Sequence, residues 1–179
     1  EGKRWVPFAK GGKYAPFHTD LKMVVDWGND GQELRAFSKA YVRNDRVYFR
    51  PGLTWPLRGI RLSAQAVPAG SIFSVAGKLA TTEQVADLPH LLALMNARVF
   101  DFLVGLYAGK VGGVQYEVGL IGRIPVPRYL STEGASLSSE ALAAYGLKAE
   151  ASTHDECSHL FTMPLALSEQ EATLREAVA

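Results

Sequence analysis

The fold is decided by residues 87–109, DLPHLLALMNARVFDFLVGLYAG. Apolar side chains recur here every three or four residues, which is the spacing of one face of an α-helix. Asp87 is suited to the start of this helix, Pro89 fits its first turn, and Gly109 can end it in a left-handed conformation. The pattern predicts one long Leu-rich helix over residues 88–108.

Short stretches on both sides of this helix have the β-branched and aromatic content of strands. They are residues 22–27, 46–50, 60–66, 71–76 and 115–121. The clearest alternation puts Ile60, Leu62, Ala64 and Ala66 on one side, and Arg61, Ser63 and Gln65 on the other. Together these elements predict a mixed α/β (α+β) fold, with a small mixed β-sheet packed on the long helix.

The character of the sequence changes after residue 130, where Ser, Ala and Glu become frequent. Helices are predicted near residues 138–149 and 168–177. A chain of 179 residues is long enough for one core and a small appendage. We therefore predict one domain over residues 1–130 and a helical C-terminal extension over residues 131–179.

Composition narrows the class of protein. The chain is 47% hydrophobic and 21% charged, as in ordinary folded globular proteins. It has no apolar run near the roughly 18–20 residues that cross a bilayer, so no membrane contact is expected. Cys157 is the only cysteine, which excludes an internal disulfide and favours a cytoplasmic location. The start at Glu1, without Met or a signal-peptide pattern, suggests a fragment of a longer chain.

The net charge of +1 conceals an uneven distribution. Residues 1–61 contain 12 Lys and Arg against 6 Asp and Glu, whereas residues 62–179 contain 7 against 12. Clustered cations neutralise phosphates and release counterions, so the first third is a candidate nucleic-acid surface. A solvated basic surface without a partner explains the charge equally well.

No catalytic residue is predicted in this chain. The sequence contains neither the Gly-rich donor loop nor the Asn/Asp-Pro-Pro-Tyr/Phe motif of an adenine methyltransferase, and it contains no P-loop. Residues 109–113, GKVGG, resemble a phosphate loop but follow a helix instead of leading into one.

No metal site is predicted either. Residues 154–159 hold His154, Cys157 and His159, but the paired ligand spacing of structural zinc sites is missing, which favours capping or packing roles. Asp20, Asp26 and Asp30 could imitate a nuclease triad, but no Glu-x-Lys accompanies them.

Signals for binding are better than those for catalysis. The basic third interleaves cations with aromatic residues, most of which should be core. Arg and Gln can read guanine and adenine edges by paired hydrogen bonds, while Lys and Ser mostly hold phosphates. The polar face of Arg61, Ser63 and Gln65 is therefore a candidate for base recognition.

Several segments, taken in order, resemble the C-terminal half of large adenine-specific DNA methyltransferases. Such enzymes belong to bacterial phage-exclusion (BREX) systems and to single-chain restriction-modification systems. The segments are residues 3–12 (KRWVPFAKGG), 25–31 (VDWGNDG), 48–55 (YFRPGLTW), 68–74 (PAGSIFS), 91–97 (LLALMNA), 116–127 (YEVGLIGRIPVP) and 155–161 (DECSHLF).

The resemblance implies that residues 1–130 are a DNA target-recognition domain. S-adenosylmethionine and the adenine extruded from the duplex would be bound by a separate upstream catalytic domain, so this fragment itself would need no cofactor. Its partners would be double-stranded DNA, that upstream methyltransferase domain and other defence-system proteins. The residues expected to contact DNA are Lys10, Lys13, Tyr14, Thr54, Trp55, Arg58 and Arg61.

An alternative stays open at this point. The chain could be a protein-interaction module of a defence complex, using the acidic helical extension from residue 131 onward. Capture of a partner by residues 131–179 but not by residues 1–130 would favour that alternative.

Overall fold

The structure is a computed structural model that describes residues 4–109, 114–127, 131–165 and 168–169. Within these ranges the strands are β1 (Trp5–Ala9), β2 (Val24–Asp26), β3 (Gly52–Trp55), β4 (Arg58–Gly59), β5 (Gln65–Val67), β6 (Ile72–Phe73), β7 (Lys78–Ala80) and β8 (Val114–Gln115). The helices are α1 (Gly28–Ala36), α2 (Leu88–Asn96), α3 (Arg98–Ala108), α4 (Val118–Ile121) and α5 (Ser131–Ser152). Short 3-10 turns cover Asp45–Val47 and Val85–Asp87.

The strands form three small sheets. One has the order β2-β1-β6, in which β1 pairs antiparallel with β2 and parallel with β6. The second has the order β5-β3-β7 and is antiparallel throughout. The third is the two-stranded antiparallel ribbon β4-β8. The predicted mixed α+β class is confirmed, with three small sheets in place of the single sheet that was predicted.

The long predicted helix is two helices. Ala97 has extended backbone angles (φ −70°, ψ 145°), and the chain bends by 67° between the helical stretches on either side of it. The Asn96 side chain accounts for the break, because its Oδ1 accepts from Ala64 N (3.0 Å) and its Nδ2 donates to Ala64 O (3.0 Å). Asn96 Nδ2 also donates to Leu92 O at 2.9 Å. The prediction of one helix over residues 88–108 was wrong at this point.

Other predicted strands also need correction. Residues 46–50 are not a strand: they contain the end of a 3-10 turn and Phe49, whose φ is 66°. Only the first residue of the predicted strand over residues 115–121 lies in a strand, β8, and α4 occupies the end of the range. The helix predicted over residues 138–149 lies inside the longer α5, and most of residues 168–177 lie outside the described residues.

The segment 60–66 departs furthest from its predicted pattern. Ile60, expected inside, is 94% exposed, whereas Ser63 and Gln65 on the predicted polar face are fully buried. The backbone of residues 62–64 bonds to helix side chains: Leu62 N donates to Asp101 Oδ1 (2.9 Å), and Ala64 pairs with Asn96. Among the described residues its one backbone partner is Phe17, whose N donates to Ala64 O (2.8 Å). Alternation along a strand therefore does not govern this segment.

Two apolar clusters hold the elements together. The larger brings residues of β3 and α2 together with residues of α3 and α5, and its members are Leu53, Trp55, Leu62, Ala64, Leu88, Leu92, Met95, Phe100, Val104, Tyr116, Ile124 and Ala141. The smaller lies under β1 and β6 and consists of Val6, Trp27, Tyr48 and Ile72. Ala141 of α5 belongs to the larger cluster, so α5 packs into the same core as residues before 130. The predicted boundary at residue 130 stays a prediction.

Where the structure describes the chain, it has no single helix that combines the length and apolarity of a membrane span. The bent pair of α2 and α3 passes such a test only when its two helices are added together. The predicted cytoplasmic location stays a prediction.

The His18 imidazole joins α5 to the first part of the chain. It is 8% exposed and lies edge-on to the Tyr145 ring, with 5.1 Å between the ring centres. Burial lowers the pKa of His18, the nearby Asp20 carboxylate opposes this shift, and Lys148 adds to it. Asp20 in turn accepts hydrogen bonds from His159 N (2.8 Å) and faces His159 Nδ1 (3.2 Å).

We expect the free energy of unfolding to fall as the pH drops below about 6.5, the ordinary pKa of a histidine. The pKa of His18 is lowered in the folded chain, so the unfolded chain binds more protons in this range and gains stability from them. His18→Phe keeps a ring against Tyr145 and should show a shallower loss between pH 7.5 and 5.5. Urea unfolding at each pH measures the difference, and parallel profiles for the two proteins would contradict this origin.

Candidate nucleic-acid interface

The loop of residues 10–14 follows β1 and lies close against the β5-β3-β7 sheet. Gly11 has φ +81°, and a Cβ there would come within 2.9 Å of both Trp55 O and Ala76 O. A Cβ on Gly77 would come within 2.4 Å of the O atom of Ala9, the last residue of β1 before the loop. Only glycine allows such close backbone contacts, so the Gly-rich sequence positions the loop across the end of β3.

Buried polar side chains hold the other end of the loop. Gln65 Nε2 donates to Lys13 O (3.1 Å), and Ala15 N donates to Ser63 Oγ (2.8 Å). The loop backbone is thus fixed from below, while the side chains of Lys10, Lys13 and Tyr14 face solvent. The Tyr14 side chain is 56% exposed. In the part of the chain that the structure describes, neither lysine forms an ion pair.

The β4-β8 ribbon continues directly from this loop contact. The ideal Cβ position on Gly11 lies 3.1 Å from the Cα of Pro56, two residues before Arg58. Arg58 and Gln115 are cross-strand partners in the ribbon, and both side chains are exposed. Arg58 Nε and Nη2 both donate to Gln115 Oε1, at 3.2 and 3.1 Å.

A charged anchor lies beneath this pair. Gln115 Nε2 donates to Glu117 Oε1, and Glu117 Oε2 forms an ion pair with Lys78 Nζ at 2.9 Å. Lys78 is only 7% exposed, so its charge is compensated mainly by this carboxylate. Hydrogen bonds from Lys78 and then from Gln115 lower the pKa of Glu117, which is therefore ionised at neutral pH.

Arg61 lies beside the ribbon and is partly neutralised. Arg61 Nε is 3.4 Å from Asp101 Oδ2, and Asp101 also accepts from Leu62 N. Beneath it, burial, reinforced by the Asp101 charge, raises the pKa of Tyr116 to about 12. Tyr116 OH donates to Gly59 O (3.3 Å), so this phenol stays protonated and supports the ribbon.

Two of the residues expected to contact DNA are core residues instead. Thr54 and Trp55 are each 1% exposed, and Trp55 Nε1 donates to Tyr116 O at 3.0 Å. Their side chains cannot meet a base or a phosphate without unfolding of β3, and we exclude them from the interface. The candidate reading face formed by Ser63 and Gln65 is excluded for the same reason, because both are fully buried.

Lys10, Lys13, Tyr14, Arg58 and Arg61 are exposed. Lys10, Lys13 and Tyr14 belong to the loop and Arg58 to the ribbon, and these two elements are neighbours where Gly11 lies against Pro56. Arg61 lies three residues beyond Arg58.

Sequence reasoning missed Gln115 and Glu117 on this surface, and the nearly buried Lys78 that pairs with Glu117. Gln115 and Glu117 flank the buried Tyr116, so an alternation of polar, apolar and polar residues was available as a signal. Lys78 had no such signal, because its burial arises from the pairing of β7 with β3.

Residues 154–159 have structural roles that are visible in the hydrogen bonds. Asp155 Oδ1 accepts from Cys157 N (2.9 Å), and His154 Nδ1 lies 3.0 Å from Met163 O. His159 bonds to Asp20. Among the described residues, no group of three His, Cys, Asp or Glu side chains is arranged to hold a metal ion.

Fold and site together describe a small α+β chain that presents a basic, Gly-rich loop next to a two-stranded ribbon carrying Arg and Gln. The chain is 29% identical to the adenine-specific methyltransferase BrxX of Escherichia coli O9:H4 (strain HS) over 126 residues, which are 69% of the chain and 10% of that protein. It is 20% identical to the adenine-specific methyltransferase PglX of Lacticaseibacillus casei (strain Zhang) over 150 residues, which are 79% of the chain and 12% of that protein. No family model matches the chain.

The chain therefore has weak homology to two adenine-specific methyltransferases and spans about a tenth of their length. This supports the predicted resemblance at the level of the methyltransferases.

Proposed function

We propose that this chain is the DNA target-recognition part of an adenine-specific (N6) DNA methyltransferase of a phage-defence or restriction-modification system. Its similarity to BrxX and PglX supports the link to methyltransferases. The observation that carries the recognition role is the exposed loop with Lys10, Lys13 and Tyr14, fixed beside the ribbon that presents Arg58.

The proposed surface divides phosphate binding from base reading. Lys10 and Lys13 are compact positive charges on a fixed backbone, which suits them to phosphate oxygens along one strand. Tyr14 adds a hydroxyl of the kind that also contacts the DNA backbone. A two-stranded β-ribbon fits the major groove, where base edges differ most clearly. Arg61, held by Asp101, lies at the margin of this surface.

The methyl transfer itself belongs to a separate part of the proposed methyltransferase. That part would bind S-adenosylmethionine, which supplies the methyl group, and would receive the adenine extruded from the duplex. The sequence of this chain has neither the Gly-rich donor loop nor the Asn/Asp-Pro-Pro-Tyr/Phe motif. The residues of this chain bind and orient the duplex, and they do no chemistry on it.

The apolar face of α3 is the best support for a protein partner. Val99, Phe102 and Leu106 lie on one side of this helix and are each at least 60% exposed. An exposed apolar stripe suits contact with protein, whereas DNA prefers cations. We propose the rest of the methyltransferase as its occupant, because the relatives are about ten times as long as the stretch they share with this chain. Binding of other defence proteins by residues 131–179 stays a prediction.

Replacing both loop lysines should weaken DNA binding uniformly over sequences. In Lys10→Ala/Lys13→Ala, loss of two phosphate contacts should reduce the slope of log K against log salt by about 2. At 0.1 M salt the same relation predicts roughly a tenfold loss of affinity for each lysine. Fluorescence anisotropy of a labelled duplex, titrated with the 179-residue chain at several salt concentrations, measures both quantities.

Matched controls come from a different part of the chain. Lys39→Ala/Arg43→Ala removes the same charge from the exposed segment after α1, and it should leave the affinity nearly unchanged. Phe102→Ser, on the α3 face assigned to protein contact, should also bind DNA like the wild type. No binding at 25 mM salt, or equal losses in the two charge variants, would reject the proposed surface.

A further inference from the structure

We propose that Arg58 reads a guanine in the major groove and that Gln115 holds its guanidinium in the reading position. This inference rests on the proposed DNA-binding function and names the base that the surface selects. Two features support it: the hydrogen-bond pattern of the Arg58 side chain, and the Glu117–Lys78 ion pair that orients Gln115.

The hydrogen bonds of Arg58 leave the correct edge of its guanidinium free. An arginine side chain has five N–H donors in a planar fork. The Nε–H and one Nη2–H of Arg58 converge on Gln115 Oε1. The other Nη2–H and the Nη1–H groups point away along the end of the fork. That end matches the O6 and N7 acceptors of guanine, which arginine contacts in a bidentate manner.

The orientation of the Gln115 side-chain amide is set by the charge of the Glu117 carboxylate. An amide can present its oxygen or its nitrogen to Arg58, and only the oxygen accepts hydrogen bonds. Glu117 selects the oxygen, because its carboxylate requires the amide nitrogen on its own side. Glu117 is itself held by the nearly buried Lys78. Gln115, Glu117 and Lys78 are therefore positioning residues for Arg58.

The placement of the pair fits the groove. Arg58 and Gln115 are direct partners on adjacent strands, so their side chains leave the same face of the ribbon. That ribbon lies next to the loop with Lys10 and Lys13, through the contact of Gly11 with Pro56. Phosphate contacts from the loop would set the register, and the paired Arg58 would select one base pair.

The test uses the 179-residue chain and a pool of duplexes with a randomised centre. Selection by the wild type is expected to return sites with a guanine at one fixed position. Replacement of that guanine by adenine should weaken binding about 5- to 150-fold, the range of a good bidentate contact. Replacement by 7-deazaguanine, which lacks the N7 acceptor, should weaken it in the same direction.

Variants separate reading from general affinity. Arg58→Lys keeps the charge but not the fork, so it should retain its salt dependence and affinity for random DNA while losing most of the guanine preference. Gln115→Ala should lower that preference with Arg58 unchanged. Both changes are at exposed positions, and thermal unfolding of each variant checks that it folds as the wild type does.

The outcomes distinguish this inference from the proposed function. Salt-dependent binding without any base preference, or an unchanged guanine preference in Arg58→Lys, would overturn the role of Arg58 and leave DNA binding intact. A guanine preference that survives in Gln115→Ala would overturn the positioning role. Absence of binding at 25 mM salt would overturn both the inference and the proposed function.

Discussion

Trp55→Ala should lower the free energy of unfolding by about 3–5 kcal/mol, the usual cost of removing a large aromatic side chain from a core. Trp55 is 1% exposed and belongs to the larger apolar cluster, so its removal leaves a cavity that the surrounding side chains fill only in part. The variant also leaves Tyr116 O without the indole N–H that donates to it. Urea unfolding followed by circular dichroism measures the loss.

Trp55→Phe separates a packing role from a DNA contact. It keeps an apolar ring but removes the donor to Tyr116 O, so a smaller loss of about 1–3 kcal/mol is expected. Because Trp55 lies inside the protein, the folded Trp55→Phe variant should bind duplex DNA with wild-type affinity. If Trp55→Phe had wild-type stability and much weaker DNA binding, the exclusion of Trp55 from the DNA interface would be wrong.

The parts of the fold that the sequence predicted well depend on local periodicity. The apolar positions Leu88, Leu92 and Met95 are buried along α2, as their spacing indicated. The short strand β2 lies within the predicted residues 22–27. Gly109 ends α3 with φ +60°, as its place after the apolar run suggested. In each case the pattern and its cause lie within a few residues of one another.

The burial of polar residues could not be predicted in this way. Gln65 and Ser63 are buried where their side chains bond to Lys13 O and Ala15 N. These two partners lie about 50 residues earlier in the chain. A polar residue enters a core when such a distant group satisfies its hydrogen bonds, and periodicity carries no information about that group. Thr54 is buried for a different reason, because β3 is paired on both sides, with β5 and with β7. Alternation and family resemblance could not distinguish it from a surface residue.

The candidate site was predictable in its charges but not in its geometry. Basic residues and a Gly-rich loop were evident in residues 10–14, and their side chains are exposed. The link from Arg58 through Gln115 and Glu117 to Lys78 joins three strand regions. It depends on the pairing of β4 with β8 and of β3 with β7, which a single sequence does not specify.

Asn96→Asp should cost more stability than Asn96→Ala, although aspartate is the closer match in shape. Alanine removes the hydrogen bonds to Ala64 and Leu92, for a loss of about 1–3 kcal/mol. Aspartate keeps the acceptor for Ala64 N but places a carboxylate oxygen against Ala64 O and Leu92 O. Because that oxygen is charged and has no donor to offer, we expect a loss of about 3 kcal/mol or more.

The pH dependence of the free energy of unfolding tests whether this repulsion causes the larger loss in Asn96→Asp. A carboxyl group facing two carbonyl oxygens is favoured in its protonated form, so its pKa is raised in the folded chain. The folded Asn96→Asp variant then binds more protons than its unfolded chain, and it gains stability as the pH falls from 7 to 5. Asn96→Ala has no such group, so the difference between the two variants in the free energy of unfolding should narrow over this range. A constant difference would show that a charged carboxylate facing these carbonyl oxygens is not the source of the extra loss.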